Sequence, residues 1–275
     1  MSETKTWLAL ICFFVLAVAG ARLVGAGVRT PAVPARGQGT LRVMTYNIHV
    51  GVGMDKKLDL ARIAGVINRE RPDLVGLQEV DRGVERTGRV DQIAELARLT
   101  KMEYAFAHNL DYQGGQYGVA VLSRFPILAT EHRRFASLRE TERRGFIRIE
   151  VRAGGRRINF ATTHLDYRFD DGRAYEAGQL LKALGQTLPP LVVVGDFNDE
   201  PAGRAHTMML ERFADAWRES RGDEAGYTFP AHRPVKRIDY IFCSREGGLR
   251  VRRAWIVDTQ ASDHLPLVAD LELAQ

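Results

Sequence analysis

The chain has 275 residues, 45% of them hydrophobic and 27% charged, with a net charge of +5. This is an ordinary globular composition, enough for one large domain and for two packed sheets, and it excludes a low-complexity or disulfide-framework chain. Mild basicity is compatible with a phosphate-bearing or polyanionic substrate, or with an acidic membrane surface, and decides neither.

The run Trp7 to Ala21 is continuously apolar, with Lys5 ahead of it and Arg22 behind it. It reads either as a signal peptide with an Ala19-Gly20-Ala21 cleavage pattern or as a signal-anchor with Arg22 at the membrane edge. Residues 1–29 are therefore expected to direct the chain out of the cytoplasm or onto a membrane, with an extracytoplasmic domain favoured. Residues 30–40, with Pro31, Pro34, Gly37 and Gly39, read as a linker, and residues 41–275 as the folded domain.

That domain opens with a strand over 41–47 that ends in Asn47. A helix follows over 58–71, with apolar residues at helical spacing and Pro72 as its stop. An apolar strand over 73–79 ends in Gln78-Glu79, and an amphipathic helix spans 91–100. Strands are predicted over 104–107, 117–122, 127–133, 145–151 and 157–163, the last running into His164. A helix over 174–188 leads to the run Leu191-Val192-Val193-Val194, a central strand buried on both faces that finishes in Gly195-Asp196-Phe197-Asn198. A helix around 203–213 and strands over 237–243, 250–257 and 265–273 complete the chain. Cys243 falls in a predicted strand and reads as core, and Cys12 lies in the N-terminal apolar run, so no structural disulfide is expected. No internal repeat is visible. Helices interspersed with hairpin-like strands argue for a mixed α/β sandwich over a purely parallel sheet.

The chemistry-bearing residues gather at strand ends. Asn47, Glu79, His164, Asp196 with Asn198, and Asp263-His264 all sit at strand ends or in the turns beside them. Asp239 lies within an otherwise apolar run, where a buried carboxylate must be paired or ligated. Carboxylates and amide oxygens without a thiolate cluster suit a hard cation such as Mg²⁺ or Mn²⁺, and histidines beside them suit proton transfer or stabilisation of a phosphoryl oxygen. Each residue also has a plainer reading: Asn47 as a turn residue, Asp239 as the partner of an arginine, His164 as structural. No P-loop, Rossmann glycine pattern, Gly-x-Ser-x-Gly elbow or His-Glu-x-x-His zinc motif is present. Together the residues point to a metal-assisted hydrolase site.

Six motifs occur in order: Thr45-Tyr46-Asn47-Ile48, Leu77-Gln78-Glu79-Val80, Thr163-His164-Leu165, Gly195-Asp196-Phe197-Asn198, Arg237-Ile238-Asp239-Tyr240-Ile241 and Ser262-Asp263-His264-Leu265-Pro266. In this the chain resembles the endonuclease/exonuclease/phosphatase superfamily, the deoxyribonuclease I-like fold, from Leu41 to Leu273. The resemblance implies an α/β fold, a four-layer α/β/β/α sandwich of two mixed sheets with outer helices and the site at one end. It also implies a Mg²⁺ (or Mn²⁺) held by Glu79, Asn47 and Asp263. His264, paired with Asp239, would face the scissile phosphate, and Asp196 and Asn198 would orient the attacking water. His164 would bind the phosphate or assist the leaving group. In the resembling enzymes the histidine at the place of His164 leans on a glutamate, and Gln116-Tyr117-Gly118-Val119 offers none.

Arg82, Arg86, Arg144 and Arg148 are candidates for contact with substrate phosphate, although a solvated face is the commoner role for such residues. Tyr112, Tyr167 and Phe169 could stack on a base or sugar or simply anchor loops. The implied activity is a phosphodiesterase acting as a monomer on nucleic acid or on a phospholipid headgroup. The alternative is a membrane-tethered, non-catalytic binding module on the same fold.

Overall fold

The computed structural model describes residues 39–273. The signal peptide or anchor expected over residues 1–29, the linker up to residue 38, and Cys12 lie outside the described residues. Among those described, no helix is long and apolar enough to cross a membrane.

Twelve strands form two six-stranded sheets. The first contains β1 (Thr40–Asn47), β2 (Leu74–Arg82), β3 (Glu103–Tyr112), β4 (Gly115–Ser123), β11 (Leu249–Ile256) and β12 (Leu267–Leu273), in the order β11-β12-β1-β2-β4-β3. The second contains β5 (Ile127–Arg134), β6 (Gly145–Ala153), β7 (Arg156–His164), β8 (Leu191–Asp196), β9 (Phe213–Asp215) and β10 (Asp239–Ser244), in the order β5-β6-β7-β8-β10-β9. Each sheet has one parallel pair near its middle, β1 with β2 and β7 with β8, and every other pairing is antiparallel. Parallel neighbours need a crossover, and a helix supplies it in both cases. These helices are α1 (Leu60–Glu70) and α3 (Asp170–Leu184). The sequence has no visible repeat, yet the two halves share this plan.

Three clusters of buried side chains define the layers. Val43, Leu74 and Val121 of the first sheet meet Ile149, Phe160, Val192 and Ile241 of the second between the sheets. Ile63, Ile67 and Leu96, from α1 and from α2 (Gln92–Thr100), pack on the outer face of the first sheet. Leu180, Leu184 and Met209, from α3 and from α4 (Arg204–Leu210), pack on that of the second. The arrangement is the expected four-layer sandwich. The sheets approach closely at Gly76, where a Cβ would stand 2.3 Å from Val194 Cγ2 and 2.7 Å from Thr162 Oγ1.

Helix ends follow local chemistry. Asp59 and Asp91 cap α1 and α2 by accepting from the backbone N–H three residues on, and Arg71 and Lys101 end them in the left-handed conformation. The helix expected over 174–188 begins earlier, at Asp170, where Asp170 and Asp171 favour the positive end of the helix dipole. The helix expected over 203–213 is only Arg204–Leu210; β9 and a short helix α5 (Ala216–Arg221) follow, both too brief to leave a periodic signal. The strand expected from Arg237 starts at Asp239, which places Asp239 on its first residue. Cys243 is buried in β10, as expected.

Candidate active site

Ligand sites in sheets with parallel strands lie at the strands' carboxyl ends. Here two parallel pairs end at the same pole of the sandwich. Asn47 closes β1 opposite Gln78, and His164 closes β7 opposite Asp196, the last residue of β8. The antiparallel β10 begins there, with Asp239 opposite Asp196. A cleft of about 500 Å³ opens at this pole and is lined by residues including Glu79, Arg144, His164, Asp196, Asn198 and His264.

Glu79 reaches the cleft by a break in register. The pairing of β2 with β4 shifts between Leu77 and Val80, and Glu79 takes φ of 57°. A bulge of this kind re-aims a side chain, and the left-handed conformation costs a residue with a Cβ about 1–2 kcal/mol. The strand then continues to Arg82 beyond its expected end. Asn198 and His49, also beside the cleft, have φ of 51° and 46°.

Asn47 ties the two sheets together. Its Nδ2 donates to Glu79 Oε1 at 2.9 Å and to Asp196 Oδ2 at 3.0 Å, while its Oδ1 accepts from the backbone N–H of His49 at 3.0 Å. The His49 contact fixes which way the amide faces, because an N–H can donate only to the oxygen. Asn47 thus holds two carboxylates by donation, with its own oxygen already engaged.

His264 sits on the loop before β12. Ser262 Oγ donates to the Asn47 carbonyl at 2.7 Å and accepts from the His264 N–H at 3.3 Å, so the loop is pinned to the end of β1. The ring's Nδ1 lies 2.9 Å from Asp239 Oδ2, its Nε2 lies 3.7 Å from Asp196 Oδ2, and Phe229 packs beside it with ring centres 4.7 Å apart. Burial opposes charge on this imidazole, but the carboxylates of Asp239 and Asp196 outweigh it and raise its pKa to about 10. Burial, and then the Asp239 carboxylate, push Asp196 up as well, from its ordinary value to about 7. Donor atoms of Asp196, Asp239 and His264 all lie within 4.8 Å of one another, a grouping compact enough to hold a metal ion.

His164 is a different kind of histidine. Its Nε2 lies 3.0 Å from Asn198 Nδ2, so the ring nitrogen accepts and the proton resides on Nδ1. Burial, then Arg144 and His264, hold its pKa well below the ordinary value, so it is neutral. The absent glutamate partner is matched here by an Nδ1 with no hydrogen-bond partner among the described residues. Asn198 Nδ2 also donates to the Leu165 carbonyl at 3.0 Å, and the Asn198 backbone N–H donates to Asp196 Oδ1 at 2.9 Å.

All eight predicted site residues come to this pole. Asp263 lines the cleft, 3.7 Å from His49 Nδ1. Of the four arginines considered, Arg86 and Arg144 line the cleft. Arg82 pairs with Asp91, and Arg148 with Glu131 and Asn159, away from it. Tyr112 and Tyr167 line it too, whereas Phe169 stacks under Arg139. Sequence reasoning missed His49, Tyr117, Glu142 and Phe229, and underrated Arg144. That arginine is only 3% exposed, its Nη1 stands 3.0 Å from Glu142 Oε1, and its Nε has no hydrogen-bond partner among the described residues. The available signal was Glu142-Arg143-Arg144, charged residues set directly before an apolar strand.

Known proteins resemble the chain over most of its length. An uncharacterized Escherichia coli (strain K12) protein, YbhP, is 29% identical over 255 residues, covering 86% of this chain and 98% of that one. A Caenorhabditis elegans candidate neutral sphingomyelinase is 27% identical over 190 residues, 60% of this chain and 42% of that protein. The crystal structure of an endonuclease/exonuclease/phosphatase from Beutenbergia cavernae superimposes with a TM-score of 0.70 at 27% identity, covering 86% of this chain and 72% of that one. The pattern of the Endonuclease/Exonuclease/phosphatase family, which includes phosphoesterases and nucleases and generally employs divalent metals, matches residues 44–264, and the chain belongs to that family.

Proposed function

We propose that this chain is a Mg²⁺- or Mn²⁺-dependent phosphodiesterase that cleaves its ester by in-line attack of water. The observation that carries the reading is the buried contact of Asp196 with the Asp239–His264 pair, brought together beside the cleft by the end of β8, the start of β10 and the loop before β12.

The donor chemistry at the cleft fits a hard cation. Glu79 and Asp263 are carboxylates that line it, and the side-chain hydrogen bond Glu79 accepts is the one from Asn47. These two residues would hold the ion, with Asn47 fixing Glu79. The compact Asp196, Asp239 and His264 group is already committed to hydrogen bonds among its members and with Asn47, which favours a proton-handling role for it. A bound divalent ion would supply charge neutralisation at the phosphoryl oxygens.

The remaining steps belong to the chain's own groups. His264 carries its proton at neutral pH, so it donates to a phosphoryl oxygen and is already occupied as a base. Asp196, with a proton affinity poised near neutrality and oriented by Asn47 and the Asn198 N–H, accepts the proton of the attacking water. Asp239 fixes the His264 ring by accepting the hydrogen bond from its Nδ1–H. Arg144, buried with a free Nε, steadies the charge that grows on the phosphoryl group. Neutral His164 orients Asn198.

A nucleic acid or a phospholipid headgroup is the substrate class we propose, with export or membrane anchoring through residues 1–29. The test is Mg²⁺-dependent cleavage of plasmid DNA, sphingomyelin and inositol phosphates in parallel. Turnover of one, abolished by EDTA, supports the reading and selects its branch. Absence of turnover on all three and on a chromogenic phosphodiester, with metal bound, would favour a binding module.

A further inference from the structure

One wall of the cleft carries a cation that the hydrolytic chemistry does not use. Arg86 stands in the tight turn Glu85–Thr87 that follows β2. Its Nε and Nη2 donate to the two oxygens of Asp81 at 2.8 and 2.9 Å. Asp81 is fully buried and also accepts from Thr87 Oγ1 at 3.1 Å. The guanidinium lies 4.6 Å from the ring centre of Tyr112 and 5.4 Å from that of Tyr117. A carboxylate thus holds one edge and two phenols restrain the plane, so little side-chain freedom is left to lose on binding.

Neutralising Asp81 does not account for the whole arrangement. The carboxylate has no exposure, whereas the arginine side chain keeps 36%. Its remaining nitrogen, Nη1, has no hydrogen-bond partner among the described residues. Arg86, Tyr112 and Tyr117 all line the cleft. Tyr117 links this wall to the hydrolytic end, because its phenol, kept protonated by burial and then by Glu79, lines the cleft with Glu142, the partner of Arg144. The cleft therefore offers two guanidinium groups, Arg144 beside the Asp196 centre and Arg86 on the wall beyond Tyr117.

We propose that Arg86 forms a second anion subsite, and that the preferred substrate is a phosphate ester bearing a further phosphate beside the one cleaved. The assignment rests on the reading that the Asp196–His264 end takes the scissile phosphate. A guanidinium presented by a fixed edge suits a phosphate better than a hydroxyl or an amide.

Calorimetric binding of propyl phosphate and of a ladder of alkane α,ω-bisphosphates in Mg²⁺ buffer tests it, alongside turnover of bis(4-nitrophenyl) phosphate. The best-fitting bisphosphate is expected to bind about tenfold tighter than the monophosphate. Arg86→Gln should close that gap. Asp81→Asn combined with Arg86→Gln should close it too, without leaving a buried unpaired carboxylate that could unfold the protein. Arg82→Gln, at an arginine paired with Asp91 away from the cleft, should keep it. The subsite is overturned if no bisphosphate exceeds the monophosphate, or if the gap survives in both Arg86 variants. An Arg86-dependent gap without turnover of the diester would keep the subsite and overturn the hydrolytic reading instead.

Discussion

Two buried clusters in this chain draw on aspartate and histidine and are put to opposite uses. In one, Asp215 closes β9, meets Arg237 Nη1 at 2.6 Å and His206 Nε2 at 3.3 Å, and caps α5 through the Trp217 N–H at 3.0 Å. Burial alone would raise the Asp215 pKa, but His206 and Arg237 outweigh it and hold the carboxyl below its ordinary value. In the other, Asp196 and Asp239 face one another across paired strands with a single imidazole between them, and Asp196 is driven upward. The difference is charge balance. One carboxylate with two partners is a satisfied strut, while two carboxylates sharing one cation leave Asp196 with a raised proton affinity, which the proposed role requires.

The contrast yields a paired prediction, and it carries the largest effects. His264→Ala should lower kcat roughly a thousandfold and, at neutral pH, should also lower Tm, since it removes the cation held between the buried Asp196 and Asp239 carboxylates. Asp215→Asn should separate the two effects. It breaks a buried pair, which costs about 3–5 kcal/mol and lowers Tm by roughly 10 °C, yet the protein that remains folded should keep its kcat. Thermal scans beside turnover assays check both, and an Asp215 variant with normal Tm and lost turnover would break the comparison.

The pH dependence sharpens it. Activity should rise with pH as Asp196 loses its proton near 7 and fall as His264 loses its own near 10. Stability should follow the signs of the shifts. The raised His264 pKa contributes stability that is fully present below about 6.5 and is lost as pH rises through 10. The depressed Asp215 pKa contributes stability that is present above its ordinary value of 3.8 and is lost as pH falls through the lower folded value. His264→Ala should remove the alkaline loss and leave the acid one, which chemical denaturation across pH would show.

How much of this could be read from the chain depends on how each feature is encoded. The strands ending in Asn47, His164 and Asp196 are written as β-branched or alternating runs closed by a polar residue, so both the strand and its polar end were legible. Glu79 was legible as a residue but not as a bulge, because register belongs to the pairing with β4 and not to β2 itself. β9 and α5 were hidden by their length. Arg144 was underrated because an arginine outside any periodic segment reads as solvated, and only the loop before β6 shows it buried. The role of Asp215 as a strut was likewise invisible, since its partners are Arg237 and His206 on other elements.

Smaller effects follow from packing and from the surface. Gly76→Ala would drive a Cβ into Val194 and Thr162 between the sheets, and is expected to cost about 1–3 kcal/mol. Denaturant unfolding would measure it, and a neutral outcome would mean the sheets can separate at that point. Arg98→Ala, which removes the exposed partner of Glu95 on α2, should leave Tm unchanged within error.

The central claim is that the pole holding Asp196, Asp239 and His264 is a hydrolytic centre. The most direct test is Mg²⁺-dependent phosphodiester turnover by wild type and His264→Ala, each with its Tm recorded in the same buffer. Turnover that EDTA abolishes is predicted for the wild type, with its near-complete loss in a variant that still melts cooperatively above the assay temperature. Full turnover in a folded His264→Ala protein would contradict it.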